Sequence, residues 1–188
     1  MWPSLCANDA NAVLTVLAQA FEDNDASAAA VGVDGDVASI VVLVPRPDVL
    51  PERRATVTRA GNLSLKHMTK TEAAALYLEL VTGYLLVTAK EAFAVAPRIE
   101  GVRMIAVRPT IADVYGRRTS EAVLAVDFRR STLRHVHWSD VPASRAAREA
   151  GTSLAMKTRG QAHELVPFDL DEEPEIADVL DLIDHDMD

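Results

Sequence analysis

The chain has 188 residues, 49% of them hydrophobic, and carries a formal net charge of −9. This length and apolar fraction predict one globular domain with a well-buried core over residues 1–188. A single cysteine, Cys6, excludes an internal disulfide framework, and the longest uncharged stretch of the apolar central segment, Leu80 to Ala89, is far shorter than the roughly 20 residues that span a bilayer. We therefore expect a cytoplasmic protein without a membrane-spanning helix.

An amphipathic helix is predicted near the amino terminus. Leu14, Leu17 and Phe21 recur at the spacing that places side chains on one helical face. Asn8 and Asp9 both precede this pattern, and either side chain could cap the first turn. The pattern therefore predicts a first helix of about three turns.

Two β-hairpins are predicted after this helix. Ala28 to Val33 and Val37 to Val44 are apolar runs rich in β-branched residues, and Asp34-Gly35 between them is a strong hairpin signal. A second hairpin is predicted over Ala55 to Arg59 and Leu63 to His67, with a glycine-containing turn between the two strands.

A long central helix is predicted from a capping box, Thr69-Lys70-Thr71-Glu72. From Lys70 to Val95 only Gly83 interrupts the helical pattern, and Pro97 ends it. A helix of this length would span roughly 39 Å at 1.5 Å per residue. Because it is apolar around much of its girth, we expect it to be packed on more than one side.

The carboxy-terminal half predicts shorter elements. Val102 to Val107 and Ala122 to Phe128 are apolar runs that predict two buried strands. A short helix at Ala143 to Glu149 and a strand at Leu165 to Phe168 follow. This series of elements predicts an α/β (α+β) domain, in which a mixed, largely antiparallel sheet packs against the long central helix.

The carboxyl terminus is strongly acidic. The last 25 residues hold eleven carboxylates and no Lys or Arg, whereas residues 1–163 hold all 19 Lys and Arg against 17 acids, a net charge of +2. Pro174 suits the first turn of a terminal helix over about residues 171–188, and its apolar residues form one stripe. The stripe consists of Ile176, Val179, Leu180 and Ile183. It is predicted to pack on its own domain or in a groove of a partner protein.

A basic region lies between Arg98 and Arg134, where eight arginines outnumber four acids. It contains two adjacent pairs, Arg117-Arg118 and Arg129-Arg130. Arginine forks match phosphate and carboxylate equally well, so the region could contact nucleic acid or receive acidic side chains. Because the whole chain is negative, we expect these pairs to bind a protein or the acidic terminus rather than nucleic acid.

A nuclease is the alternative reading. If Leu63 to His67 is counted as a third strand, the order helix, three strands, long helix, strand resembles the core of restriction-endonuclease-like enzymes. That resemblance implies a metal site with an acid on the second strand and an acid-x-Lys on the third. Asp34 or Asp36 could supply the first acid and Lys66 the lysine, but the second carboxylate is missing from Leu63-Ser64-Leu65-Lys66. The alternative is therefore a degenerate or unusual metal-dependent nuclease.

Other chemical signals are sparse. His135 and His137 stand at strand spacing with Asp140 three residues on, and they are the candidate metal ligands, although zinc needs a further protein ligand. The sequence has no GxSxG elbow and no phosphate-binding loop, so we expect no cofactor. A small-ligand protein is the remaining alternative, and it predicts a cavity beside Tyr77 and Tyr84 on the long helix.

Three stretches are similar to a domain found in bacterial proteins of unknown function, usually behind other sequence. They are Ala30-Val31-Gly32-Val33-Asp34-Gly35-Asp36, Ala60-Gly61-Asn62-Leu63-Ser64-Leu65-Lys66 and Lys90-Glu91-Ala92-Phe93-Ala94-Val95-Ala96-Pro97. The resemblance covers most of the chain and implies a carboxy-terminal module whose partner lies in an upstream domain of a longer protein. It implies no activity, ligand or catalytic residue.

Charge segregation and a terminal amphipathic helix are the distinctive features of this sequence, rather than a converging set of titratable groups. They predict a non-catalytic protein-interaction or regulatory module with an acidic carboxy-terminal helix. The expected partner is another protein or an upstream domain, and a homo-oligomer is also compatible with the sequence.

Overall fold

The computed structural model describes residues 2–111, 114–116 and 119–168. The helices are α1 (Trp2–Cys6), α2 (Ala10–Ala20), α3 (Lys70–Val95), α4 (Arg130–Leu133) and α5 (Ala143–Ala150). The strands are β1 (Ala28–Asp34), β2 (Val37–Leu43), β3 (Arg53–Val57), β4 (Leu63–His67), β5 (Gly101–Pro109), β6 (Ser120–Arg129), β7 (Gly151–Arg159) and β8 (Glu164–Val166). The terminal helix predicted from Pro174 lies outside the described residues.

The main sheet has six strands in the order β1-β2-β5-β6-β7-β8. Its neighbours are antiparallel except β2 and β5, which are parallel. A parallel pair needs a crossover connection, and α3 lies between these two strands in the chain. The mixed, mostly antiparallel sheet with a long helix packed on it confirms the predicted α+β class.

One face of the main sheet carries the larger core. Helices α2 and α3 contact β1 and β5 on this face, and α5 packs against α3, β6 and β7. Among the largest fully buried side chains of this core are Leu17, Ile40, Leu85, Met104, Leu124 and Phe128. The opposite face has a smaller apolar cluster of Val41, Ile105, Val107, Ala122, Ala125 and Phe168. The sheet is therefore apolar on both faces.

The predicted capping box begins α3. The Thr69 hydroxyl accepts a hydrogen bond from the Glu72 amide at 3.2 Å, and the Glu72 carboxylate accepts one from the Thr69 amide at 2.8 Å. By length and composition α3 could cross a membrane, and it is the one such helix in the described part of the chain. Its buried side chains pack against α2, α5 and β5, as those of a core helix do in a soluble domain.

The first hairpin has a different turn from the predicted one. Asp34 pairs with Val37, so the two-residue loop is Gly35-Asp36 rather than Asp34-Gly35. Gly35 has φ of +56°, and type II′ turns place glycine at this first loop position because it has no Cβ. The carbonyl of Asp36 accepts hydrogen bonds from the amides of Glu100 and Gly101, which joins the turn to the start of β5.

Three elements were not predicted: α1, α4 and β7. Strand β7, Gly-Thr-Ser-Leu-Ala-Met-Lys-Thr-Arg, has only a short apolar run and is mostly half-buried or exposed. Its conformation follows from pairing with β6, from Phe128–Gly151 to Leu124–Met156. Propensity alone is a poor guide to such a strand, because cross-strand neighbours decide its stability.

Candidate functional site

Strands β3 and β4 form a two-stranded sheet outside the main sheet, and we call residues 53–67 the arm. Residues that pair across antiparallel strands share a face. One face carries the pairs Arg53–His67, Ala55–Leu65 and Val57–Leu63, and the other carries Arg54–Lys66 and Thr56–Ser64. The arm therefore has an apolar centre on one face and a polar opposite face.

The polar face of the arm makes an ion pair with the domain. Arg54 Nη2 lies 2.7 Å from Glu72 Oε1, in the first turn of α3. On the other face Val57, Leu63 and Leu65 are 68%, 84% and 66% exposed. This arrangement is the reverse of the usual burial pattern, in which the apolar face of a hairpin packs on the core.

The arm is also uniformly basic. It contains four cations and no Asp or Glu, and the cations are Arg53, Arg54, Arg59 and Lys66. Arg54 forms the ion pair with Glu72, and Arg53 Nε donates a hydrogen bond to His67 Nε2 at 3.1 Å. A solvent-facing apolar strip with a cationic rim is suited to a surface that is apolar at its centre and acidic at its edge.

A cleft of about 380 Å³ lies at the base of the arm, beside Tyr77. It is lined by Pro47, Leu50, Lys70, Ala73, Ala74, Tyr77, Arg108, Arg159, Glu164, Leu165 and Val166. The lining residues come from the segment before β3, from α3, from β5 and from the β7–β8 hairpin. The cleft is therefore assembled by tertiary structure from four separate segments.

Tyr77 and Arg108 form a hydrogen-bonded group in this cleft. The Tyr77 hydroxyl donates to the Pro45 carbonyl at 2.8 Å, and burial raises the pKa of Tyr77 although Arg108 opposes the shift. Arg108 Nε lies 2.6 Å from Glu121 Oε1. Burial lowers the pKa of Arg108, but the hydrogen bonds with Glu121 and Tyr77 outweigh it, so its pKa is raised. Tyr77 stays neutral and Arg108 stays charged at physiological pH.

A separate cleft of about 420 Å³ lies beside Tyr84. It is bordered by the acidic residues Asp23, Asp25 and Glu79. The carboxylate of Glu79 accepts hydrogen bonds from the amide and hydroxyl of Ser144, so it holds the first turn of α5. The cavity predicted beside Tyr77 and Tyr84 corresponds to two clefts with different lining.

The structure places the predicted arginine pairs in unlike settings. Arg129 is exposed at the end of β6. Arg130 is 12% exposed, and its guanidinium donates to carbonyls at the end of α3, which leaves little of it for a partner. Arg117 and Arg118 lie outside the described residues, as does the terminal stripe of Ile176, Val179, Leu180 and Ile183.

The candidate nuclease residues lie in different sheets. Asp34 and Asp36 are exposed at the turn between β1 and β2, whereas Lys66 is on β4 of the arm. The nuclease arrangement needs the two strands side by side, and here β2 has β1 and β5 as its neighbours. The third strand of that comparison is therefore absent from the described main sheet.

The candidate metal ligands do not form a cluster. His135 and His137 lie in the irregular segment after α4 instead of on a strand, so the predicted shared face is absent. His135 Nδ1 is 2.8 Å from the Ser131 carbonyl oxygen, and the Asp140 amide donates to the His137 carbonyl. In the part of the chain that the structure describes, no group of three or more His, Cys, Asp or Glu side chains could hold a metal ion.

Sequence reasoning identified the strands of the arm but did not predict that they form a separate two-stranded sheet. The available signals were the absence of acids in residues 53–67 and the three prolines at positions 45, 47 and 51. The cleft beside Tyr77 had no local signal beyond the tyrosine itself.

Comparisons with protein-family models, with curated proteins and with solved structures found no match for this chain.

Proposed function

We propose that this protein is a non-catalytic protein-interaction module with a regulatory role, and that the arm is its binding surface. The observation that carries the proposal is the outward apolar face, where Val57, Leu63 and Leu65 are all more than half exposed. An isolated two-stranded hairpin is only marginally stable in water. Covering this face with another surface would bury apolar area and stabilise the hairpin at the same time.

The partner is an acidic amphipathic helix, and the carboxy-terminal segment of this chain has that chemistry. The charge of the arm supports this choice, because four cations without an acid match residues 171–188, which hold nine carboxylates and no Lys or Arg. The predicted apolar stripe of Ile176, Val179, Leu180 and Ile183 would lie on Val57, Leu63 and Leu65. Arg129 and the pair Arg117-Arg118 remain further candidate contacts for the acidic side chains of a partner.

The helix can come from the same chain, from a second copy or from an upstream domain of a longer protein. Docking within one chain would occupy the arm until a competing acidic helix displaced the terminal segment, which is the regulatory part of the proposal.

We place the module in the cytoplasm. The single cysteine, Cys6, is exposed and free, which supports a reducing compartment.

Photo-crosslinking tests the proposal on the full chain. Replacing Leu63 by p-benzoylphenylalanine puts a reactive group on the apolar face without changing the fold. We expect mass spectrometry to find crosslinks to residues 171–188, and the size of the product distinguishes a contact within one chain from one between copies. The same group at Val87, an exposed position on α3, is the matched control and should not react with that segment.

Two outcomes would overturn the proposal. The first is that p-benzoylphenylalanine at position 63 crosslinks to residues 171–188 no more than it does at position 87. This comparison is made with the crosslinking variant alone and with a threefold excess of wild-type protein, which supplies the segment from a second copy. The second is that position 63 crosslinks efficiently to added DNA or RNA and not to protein, which would identify the basic arm as a nucleic-acid contact.

A further inference from the structure

We infer that the cleft beside Tyr77 binds a small organic monoanion with an apolar body, such as a medium-chain carboxylate. The inference is independent of the arm's partner. A cleft of about 380 Å³ is within the size range of small-molecule sites, roughly 300–1,000 Å³. Such sites combine an apolar lining with a few placed polar groups, and this cleft has both.

The apolar lining forms the larger part of the cleft. It is made by Leu50, Ala73, Ala74, Leu165 and Val166 together with the ring of Tyr77. Ala73 and Ala74 are in the first two turns of α3, where small side chains leave room between the helix and the β7–β8 hairpin. This lining would cover the hydrocarbon part of a ligand and release water from it.

The charges of the cleft identify the ligand as an anion. Lys70 and Arg159 line the cleft and have no ion pair within the described residues. Arg108 is already bound to Glu121 and donates to the Leu165 carbonyl at 3.4 Å. Its donors are therefore less available than those of Lys70 and Arg159, which are the groups that would hold the anionic head.

The charge balance also sets the charge of the ligand. Lys70, Arg108 and Arg159 are the cations that line the cleft and Glu164 is the carboxylate that lines it, while Glu121 pairs with Arg108 from outside the lining. One positive charge remains. A carboxylate would neutralise it, whereas a phosphate monoester carrying about two negative charges would leave an excess of negative charge in a partly apolar cleft.

Methyl NMR with three probes tests this inference. Decanoate, decan-1-ol and decyl phosphate share one chain and differ only in the head group, and each is titrated below the concentration at which it forms micelles or a separate phase. We expect decanoate to shift the methyl signals of Leu50, Leu165 and Val166 in a saturable way. Decanol should bind about tenfold more weakly, the loss expected for one charge-assisted contact.

Charge variants make the test specific. The double variant Lys70→Gln, Arg159→Gln should bind decanoate at least about tenfold more weakly and leave decanol binding unchanged. Glu164→Gln should bind decanoate more tightly because it removes a repulsive carboxylate. Lys90→Gln, near the other end of α3 and outside this cleft, is the matched control.

Three results would overturn the inference. Equal affinity for decanoate and decanol would show that the cations do not recognise the head group. Tighter binding of decyl phosphate would contradict the charge balance. Shifts centred on Val57, Leu63 and Leu65 would mean adsorption to the exposed face of the arm rather than binding in the cleft.

Discussion

Arg130 closes the carboxyl end of α3. Its guanidinium donates to the carbonyls of Phe93 and Ala96 at 2.7 Å and of Ile99 at 2.9 Å, and it lies 4.9 Å from the centre of the Phe93 ring. The last carbonyls of a helix have no partners within the helix, so a side chain with several donors is an effective cap. A single arginine thus joins the helix, the following loop and β6.

Replacing this arginine should destabilise the domain. Arg130→Gln removes the fork that serves three carbonyls, and we expect the free energy of unfolding to fall by about 3 kcal/mol, because hydrogen bonds from charged groups contribute about 1.5–3 kcal/mol. The free energy of unfolding of Arg130→Lys should lie between those of the wild type and Arg130→Gln. Urea denaturation followed by circular dichroism measures the change. The exposed Arg129→Gln should change stability by less than about 0.5 kcal/mol, and equal losses for the two glutamine variants would contradict this role.

The ionisation of Glu72 makes the stability contributed by the start of α3 depend on pH. The amide and hydroxyl of Thr69, with Arg54, hold the pKa of Glu72 below its ordinary value of 4.5. A carboxylate with a lowered folded-state pKa adds stability above its unfolded-state pKa, and this contribution is lost as pH falls through the folded-state pKa. Wild-type protein should therefore lose more stability than Glu72→Gln between about pH 5 and pH 3. Thermal unfolding at both pH values checks this, and parallel losses would rule it out.

At the scale of elements, the arm is the exception to the burial pattern of the domain. Strands of the main sheet alternate between its two apolar faces, while β4 is exposed along all of its length. The ion pair of Arg54 with Glu72 joins the arm to α3, and the hydrogen bond from the Met68 amide to the Glu52 carbonyl extends the pairing of the two strands to the base of the arm. The arm is thus attached to the domain by its polar side and base.

When no partner covers the arm, its outward apolar side chains should contribute little to stability. We expect the double variant Leu63→Thr, Leu65→Thr, which introduces β-branched residues suited to a strand, to unfold within about 0.5 kcal/mol of the wild type if the arm is unoccupied. Leu85→Ala, in the buried core, should cost about 2–5 kcal/mol. Urea denaturation compares them. A core-sized loss for the threonine variant would mean that the arm's apolar face is covered within the folded chain, as in the proposed docking.

The same threonine variant also tests the binding surface. With the apolar strip removed, p-benzoylphenylalanine at position 57 should lose its crosslinks to residues 171–188. Unchanged crosslinking would indicate that charge alone holds the partner, since all four cations of the arm remain. Stability and crosslinking together therefore separate the folding role of the arm from its binding role.

At the scale of the whole molecule, the long helix organises the fold. It connects β2 to β5 and thereby allows their parallel pairing, and it carries residues of both clefts on its surface. The acidic terminus begins in strand β8 of the β7–β8 hairpin, and Phe168 is the last described residue of it. The Phe168 amide donates to the Ala122 carbonyl at 2.9 Å, so the described chain ends on the smaller apolar face of the sheet.

Much of the secondary structure followed from local signals. The capping box and Pro97 predicted α3 with its observed bounds, and Asp9 does cap α2 through the Ala12 amide. The strands of the first hairpin and β5 and β6 were predicted to within about two residues at each end. Strand β7 and the exact turn of the first hairpin were not, because each depends on a partner strand rather than on its own residues.

The sequence by itself determined the class of the domain, the position of its long helix and its charge segregation, because periodicity, caps and composition act over short distances along the chain. Only the tertiary structure decided that β3 and β4 leave the main sheet, that Arg130 is used inside the fold, and that Lys70, Arg108 and Arg159 line one cleft. These features join segments that are 30 to 90 residues apart. They depend on long-range packing, which no local pattern specifies.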